Sequence, residues 1–147
     1  MSAILDAVEK QNLQEVKRLI ESDVKVNEKD DDGNTVLHYA ASCGSQEIVD
    51  YLVEHAGADI NCKNTKNETA LHIASYNSFY EIVKYIVEHG ADVNLRNTDD
   101  CSPLHFAAAL NSFEIVKYLI QRGADIHCRN VENNTALHYA AYSGSLE

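Results

Sequence analysis

The groups through which this chain could perform chemistry are its seven histidines, four cysteines and 23 carboxylic side chains. Imidazoles and thiolates hold metals, or act as base and nucleophile, only where they converge, so spacing is the first test. Cys43, Cys62, Cys101 and Cys128 contain no Cys-x-x-Cys pair, the spacing that tetrahedral zinc sites favour. Cys43 and Cys101 would be nucleophiles only beside a base in an enclosed pocket; otherwise they are small packing residues. Asp30-Asp31-Asp32 lacks the alternating ligands and twelfth-place glutamate of a calcium loop, and reads as a solvated turn. The glycines, at 33, 44, 57, 90, 123 and 144, are spread too evenly to cradle a phosphate. Asn67-Glu68-Thr69 and Asn133-Asn134-Thr135 match glycosylation acceptors, yet both fall on turns, and an intracellular address removes the modification. No catalytic residue, no metal and no cofactor is therefore expected.

Four of the histidines belong to a pattern of another kind. His38, His72, His105 and His138 sit inside Thr35-Val-Leu-His-Tyr-Ala40, Thr69-Ala-Leu-His-Ile-Ala74, Ser102-Pro-Leu-His-Phe-Ala107 and Thr135-Ala-Leu-His-Tyr-Ala140, which start 34, 33 and 33 residues apart. Twelve residues beyond each start stands a glutamate, Glu47, Glu81, Glu114 or Glu147, and the first three open Glu-Ile-Val-x-Tyr-[LI]-[VI]. Gly57-Ala-Asp-Ile-Asn61, Gly90-Ala-Asp-Val-Asn94 and Gly123-Ala-Asp-Ile-His127 complete the period. Units stacked a helix diameter apart, roughly 10 Å, hold these histidines well beyond the ~4 Å that a shared zinc needs between ligand nitrogens.

One unit can be built from its residues. Thr69 is a good N-cap, and Leu71, Ala74 and Ser75 share a face of a short helix that permits close packing. Gly44, Ser78, Asn111 and Gly144 then suit a left-handed turn. The second helix spreads Ile82, Val83, Tyr85, Ile86 and Val87 over a wide apolar face and stops at Gly90. His55 and His89, just before such glycines, suit the negative end of the helix dipole, and His127 stands in a turn. Gly33, Asn67, Asp100 and Asn133 share one turn register, and all tolerate positive φ. Neither helix can hide its apolar face alone; stacking neighbours into an all-α solenoid with turn or hairpin tips solves that.

This pattern resembles the ankyrin repeat family, whose units of about 33 residues open with Thr-Pro-Leu-His-x-Ala. The resemblance divides the chain into repeats at 29–62, 63–95 and 96–128 and an incomplete one at 129–147. Residues 1–28 read as an N-terminal capping repeat with Glu9, Lys10, Gln14 and Lys17 on its polar side. An extra residue near Ala56-Gly57 lengthens the first period, and proline occupies its family place only at Pro103. Glu147 falls where the last unit's second helix should begin, so Ile115, Val116, Leu119 and Ile120 are expected to lack full cover. The expectation is a fragment of a longer array, or a cloning scar after Gly144. By resemblance, the repeated histidines and their Thr or Ser partners tie the turns together.

The resemblance also implies a binding surface on the concave side, formed by turn tips and first helices. Its variable places here are Asp31, Asp32, Asn34, Lys66, Glu68, Asp99, Cys101, Glu132 and Asn134 on the tips. Those on the helices are Ser42, Cys43, Tyr76, Asn77, Leu110 and Tyr142. Tyr76, Leu110 and Tyr142 are large side chains at solvent-facing registers, suited to a contact hot spot.

Bulk properties agree. One domain of 147 residues, 45% hydrophobic and with one proline, is globular. A net charge of −11 disfavours nucleic acid and favours a protein partner with a basic surface. No apolar run reaches the ~18 residues of a membrane span, and charge at Asp6, Glu9 and Lys10 comes too early for a secretory leader. The expected protein is a monomeric, non-catalytic interaction module of the cytoplasm or nucleus. The alternatives are the N-terminal targeting arm of a larger enzyme, channel or effector, or an inhibitor that covers an enzyme's active site.

Overall fold

A computed structural model describes residues 1–144. Among them are nine helices: α1 (Ser2–Glu9), α2 (Leu13–Glu21), α3 (Val36–Cys43), α4 (Gln46–Glu54), α5 (Ala70–Tyr76), α6 (Tyr80–Glu88), α7 (Pro103–Ala109), α8 (Phe113–Gln121) and α9 (Ala136–Tyr142). No strand occurs among the described residues. Odd-numbered helices pack in sequence, α1 on α3, α3 on α5, α5 on α7 and α7 on α9. Even-numbered helices α2, α4, α6 and α8 form a second layer behind them. The expected all-α solenoid is therefore the observed one.

Local chemistry explains the repeat of the elements. The N-cap residues Thr35, Thr69, Ser102 and Thr135 are all extended, with φ between −90° and −99°. Each cap is reciprocal with the histidine three residues on, whose Nδ1 accepts from the N-cap amide at 3.0–3.1 Å. The turn after each of α3, α5, α7 and α9 passes through positive φ at Gly44 (70°), Ser78 (59°), Asn111 (60°) or Gly144 (77°), as the residue types indicate.

The core runs along the stack as one cluster, not as a separate core per unit. Equivalent leucines make the point. Leu37, Leu71 and Leu104 are at most 1% exposed, whereas Leu137, on the last described helix, is 65% exposed. Each buried leucine contributes about 1.5–3 kcal/mol, and it does so only where a following unit covers it. The expectation of incomplete cover at α8 is corrected in detail. Ile115 and Leu119 are fully buried, Val116 is half-buried, and Ile120 is the exposed member. The expectation about residues after Gly144 falls outside the described residues.

Hydrogen bonds join successive units at up to three depths. Deepest are the histidines, whose Nε2 reaches the carbonyl just before the next N-cap: His38 to Glu68, His72 to Cys101 and His105 to Asn134, at 3.0–3.1 Å. Because Nδ1 accepts from an amide, the proton must sit on Nε2, so each ring is neutral and in one tautomer. Burial depresses all three pKa values, that of His72 to about 4. Next come Asn27, Asn61 and Asn94. Each donates to the carbonyl of Gly57, Gly90 or Gly123 and accepts from the amide of Asp59, Asp92 or Asp125 at 2.8–3.2 Å. Outermost, the tips bond in series: Thr65 N–H to Asp32 carbonyl, Thr98 to Lys66 and Val131 to Asp99, at 2.9–3.0 Å.

Two stability predictions follow from this scaffold. Gly33 and Gly123 both have positive φ, 76° and 94°, so alanine strains either by about 1–2 kcal/mol. A Cβ at Gly33 would also lie 2.8 Å from the Thr65 backbone nitrogen, while one at Gly123 meets nothing within 4 Å. Urea unfolding should therefore show Gly33→Ala costing clearly more than Gly123→Ala; equal losses would contradict the close packing of the tips. Histidine pH linkage gives the second. An unfolded histidine titrates near 6.5, whereas His72 stays neutral down to about 4. Between these values the unfolded chain binds the extra proton, so His72 contributes a stability that is present above pH 6.5 and lost on acidification. The loss is on the order of 3 kcal/mol by pH 4. His72→Gln should flatten that slope in urea melts compared at pH 7 and pH 5, and an unchanged slope would refute the assignment.

Candidate functional site

The tips and first helices of the second and third units enclose a cleft of about 510 Å³. Its residues are positioned by four copies of one turn. Asp30, Asn64, Asn97 and Asn130 each turn a side-chain Oδ1 back onto two amides, two and four residues on, at 2.8–3.1 Å. Positive φ at Gly33 (76°), Asn67 (58°), Asp100 (56°) and Asn133 (65°) completes each turn. In the second unit, counting the N-terminal capping repeat as the first, the Tyr39 hydroxyl also donates to Asp30. Burial there raises the Asp30 pKa, but this bond and the amides of Asn34 and Asp32 outweigh it and hold the carboxyl below its usual range.

Seven of the residues expected at a binding face line this cleft: Asp32, Asn34, Ser42, Lys66, Glu68, Tyr76 and Asn77. Asp31, Asp99 and Glu132 lie exposed on neighbouring tips, Asn134 is half-buried, and Cys43 is half-buried at the end of α3. Leu110 and Tyr142 are exposed, at 43% and 77%, but outside the cleft. Cys101 is corrected: it is only 6% exposed, and its Sγ lies 3.6 Å from Asn130 Nδ2, beneath the tip and not on it. Asn130 of the following tip covers it, a contact between units that the turn register alone does not reveal.

The rest of the lining is Thr65 on the tip, the junction histidine His72, and three residues missed from the sequence: Asn64, Ile73 and Phe106. The last two occupy the variable place after histidine, filled by Tyr39, Ile73, Phe106 and Tyr139, where a large side chain in every unit was the available signal. The Tyr76 and Phe106 rings meet edge to face, with centroids 5.9 Å apart, and Phe106 meets His72 in the same way. Asn64 supplies the turn that carries Lys66 and Glu68.

Electrostatically the rim is open. Ion pairs among the described residues join Arg18 to Glu15 at 2.6 Å and His89 to Glu54 at 3.7 Å, both away from the cleft. Neither Asp32, Glu68 nor Lys66 has an oppositely charged neighbour within bonding distance among the described residues. Burial lifts the Cys43 and Cys101 pKa values, so both are held as thiols, poor nucleophiles at neutral pH. Among the described residues, no group of three His, Cys, Asp or Glu side chains is arranged to hold a metal ion. A second groove of similar volume, mostly apolar, lies over α8 and α9, where Phe113, Ile120, Ile126 and Leu137 are exposed.

Comparisons with known proteins agree with this architecture. The family described as "Ankyrin repeats (3 copies)" matches residues 4–97, 56–130 and 95–147. The fowlpox virus (strain NVSL) protein named "Putative ankyrin repeat protein FPV219" is 42% identical over 65 residues. That match covers 42% of this chain and 14% of the viral protein, so this chain spans only a small part of its relative's length. No helix among the described residues is long and apolar enough to cross a membrane. With matches spanning residues 4 to 147, a threonine– or serine–histidine cap opening α3, α5, α7 and α9, and one continuous stack of helix pairs, this chain belongs to the ankyrin repeat family.

Proposed function

We propose that this chain is a non-catalytic module that binds a partner protein through the concave side built from its tips and first helices. Ankyrin repeats are generally protein–protein interaction modules, and the finer reading rests on one observation. The cleft across the second and third units combines an exposed tyrosine, 58% accessible, with charged groups that have no ionic partner of their own. A tyrosine on a rigid helix offers contact area at little ordering cost. The tips beneath it are already held by hydrogen bonds, so a partner meets a preorganised face.

Charge supports a basic partner. The tips carry Asp31, Asp32, Glu68, Asp99, Asp100 and Glu132 against Lys66, and the chain as a whole is at −11. Such a field speeds encounter with a basic surface and is screened by salt. Four free thiols suit a reducing compartment, and we place the protein inside the cell, in cytoplasm or nucleus.

The test is site-specific photocrosslinking in living cells. A photoreactive phenylalanine at Tyr76 should crosslink to a discrete partner, and one at Lys117, on α8, should not. Tyr76→Ala combined with Leu110→Ala removes two partly exposed side chains and one aromatic contact, and should cost only about 1–2 kcal/mol of urea stability, leaving the chain folded. Partner binding should fall by at least about tenfold if the pair forms a hot spot. Crosslinking at Lys117 alone, or full binding by the double variant, would move the interface elsewhere.

A further inference from the structure

We infer that the cleft between the second and third repeats receives an arginine side chain of the partner protein. This inference deepens the proposed interaction face and rests on it. Part of the cleft lining is acidic. Glu68 is half-buried, and its Oε2 meets Asn64 Nδ2 at 3.4 Å, leaving most of its accepting capacity unused. Asp32 stands on the adjacent tip, with its backbone carbonyl held by Thr65 N–H and Oγ–H at 2.9 Å. Its carboxylate is exposed, and no hydrogen bond or ion pair occupies it among the described residues. Another part is aromatic: Tyr76 braced edge to face on Phe106, and Phe106 braced in turn on the buried His72 ring.

Carboxylates and aromatic rings lining one cleft distinguish between the two basic side chains. A guanidinium is flat and weakly hydrated, so it can lie against a ring while its fork donates two parallel hydrogen bonds to a carboxylate. An ammonium is a strongly hydrated point charge that gains little from the wall. Lys66 on the same rim opposes any cation and leaves Asp32 and Glu68 only one charge in excess. Long-range attraction at this spot is therefore weak, and selection falls to the fork and the stack. An anionic side chain would gain Lys66 but would face both carboxylates. A purely apolar one would leave the rim desolvated without a partner.

Nuclear magnetic resonance titration of the intact chain tests this. The probes are acetylated, amidated pentapeptides, Gly-Gly-X-Gly-Gly, with arginine, lysine, citrulline or glutamate at X. The arginine peptide should shift the Lys66, Glu68, Tyr76 and Phe106 resonances saturably and bind about threefold or more tighter than the lysine peptide. Citrulline, which keeps the shape but not the charge, should bind still more weakly. Tyr76→Ala should abolish the preference for arginine over lysine, and Glu68→Gln should weaken both cations. Lys66→Ala should strengthen both alike. Equal arginine and lysine binding, shifts away from the cleft, or tighter binding of glutamate would each overturn the inference. If the photocrosslink at Tyr76 forms while the arginine peptide shows no preference, this inference alone fails. If neither appears, the interaction face fails with it.

Discussion

Each of the three junctions between the units that open at Thr35, Thr69, Ser102 and Thr135 depends on a neutral imidazole placed where two units meet. Nδ1 of His38, His72 or His105 takes the amide that opens its own helix, and Nε2–H closes on a carbonyl of the following tip. A single side chain thereby satisfies a donor and an acceptor that burial would otherwise leave unpaired, each costing about 1–3 kcal/mol. Protonation would place a second N–H against an amide hydrogen, so the arrangement works only while the ring stays uncharged. The fourth copy shows the dependence on a neighbour: His138 keeps its bond to Thr135, but its Nε2 meets no carbonyl among the described residues, and the ring is exposed.

Around these histidines the remaining contacts act at increasing distance from the core. Small residues in the odd-numbered helices, such as Ala40, Ala74 and Ala107, are fully buried and let successive helices approach closely. Behind them, Tyr85 and Tyr118 donate across the even-numbered layer to the carbonyls of Asp50 and Lys84. The tips, although exposed, are tied in series through their backbones. The proposed binding face thus combines a polar composition with fixed geometry: Asp, Asn and Thr side chains spend their polarity on the turn and leave a few groups, Lys66 and Tyr76 among them, exposed to solvent. Substitution at such exposed places leaves the stack undisturbed, so recognition, as proposed, is separable from stability.

Much of this was legible in the residues. The Thr-x-x-His and Ser-x-x-His pairs, the positive-φ registers and the apolar stripe of the second helices repeat at 33 or 34 residues, and one unit's chemistry predicts the next. The lining of the cleft was legible only in part. Cys101 shares a register with the half-buried Asn34, Glu68 and Asn134 and is buried further, with Asn130 of the following tip against its sulfur. Phe106 and Ile73 occupy a place that reads as packing, yet they form the wall of the cleft. The bridging role of Asn27, Asn61 and Asn94 was likewise unread, since its partners lie about thirty residues on and its bonds cross between units.

What the sequence determined by itself is everything that depends on a residue and its near neighbours: helix starts and stops, turn handedness, the period, and the need for an adjoining unit. Those follow from backbone sterics and from hydrogen bonds spanning three or four positions. Only the tertiary structure decided which equivalent residues are covered, for Leu104 and Leu137 have the same local setting and opposite burial. It also decided which side chains meet across the cleft, with Asp32, Glu68, Tyr76 and Phe106 drawn from three different units. Solvent exclusion and electrostatic pairing act through space, and the stacking of one unit on another sets those distances.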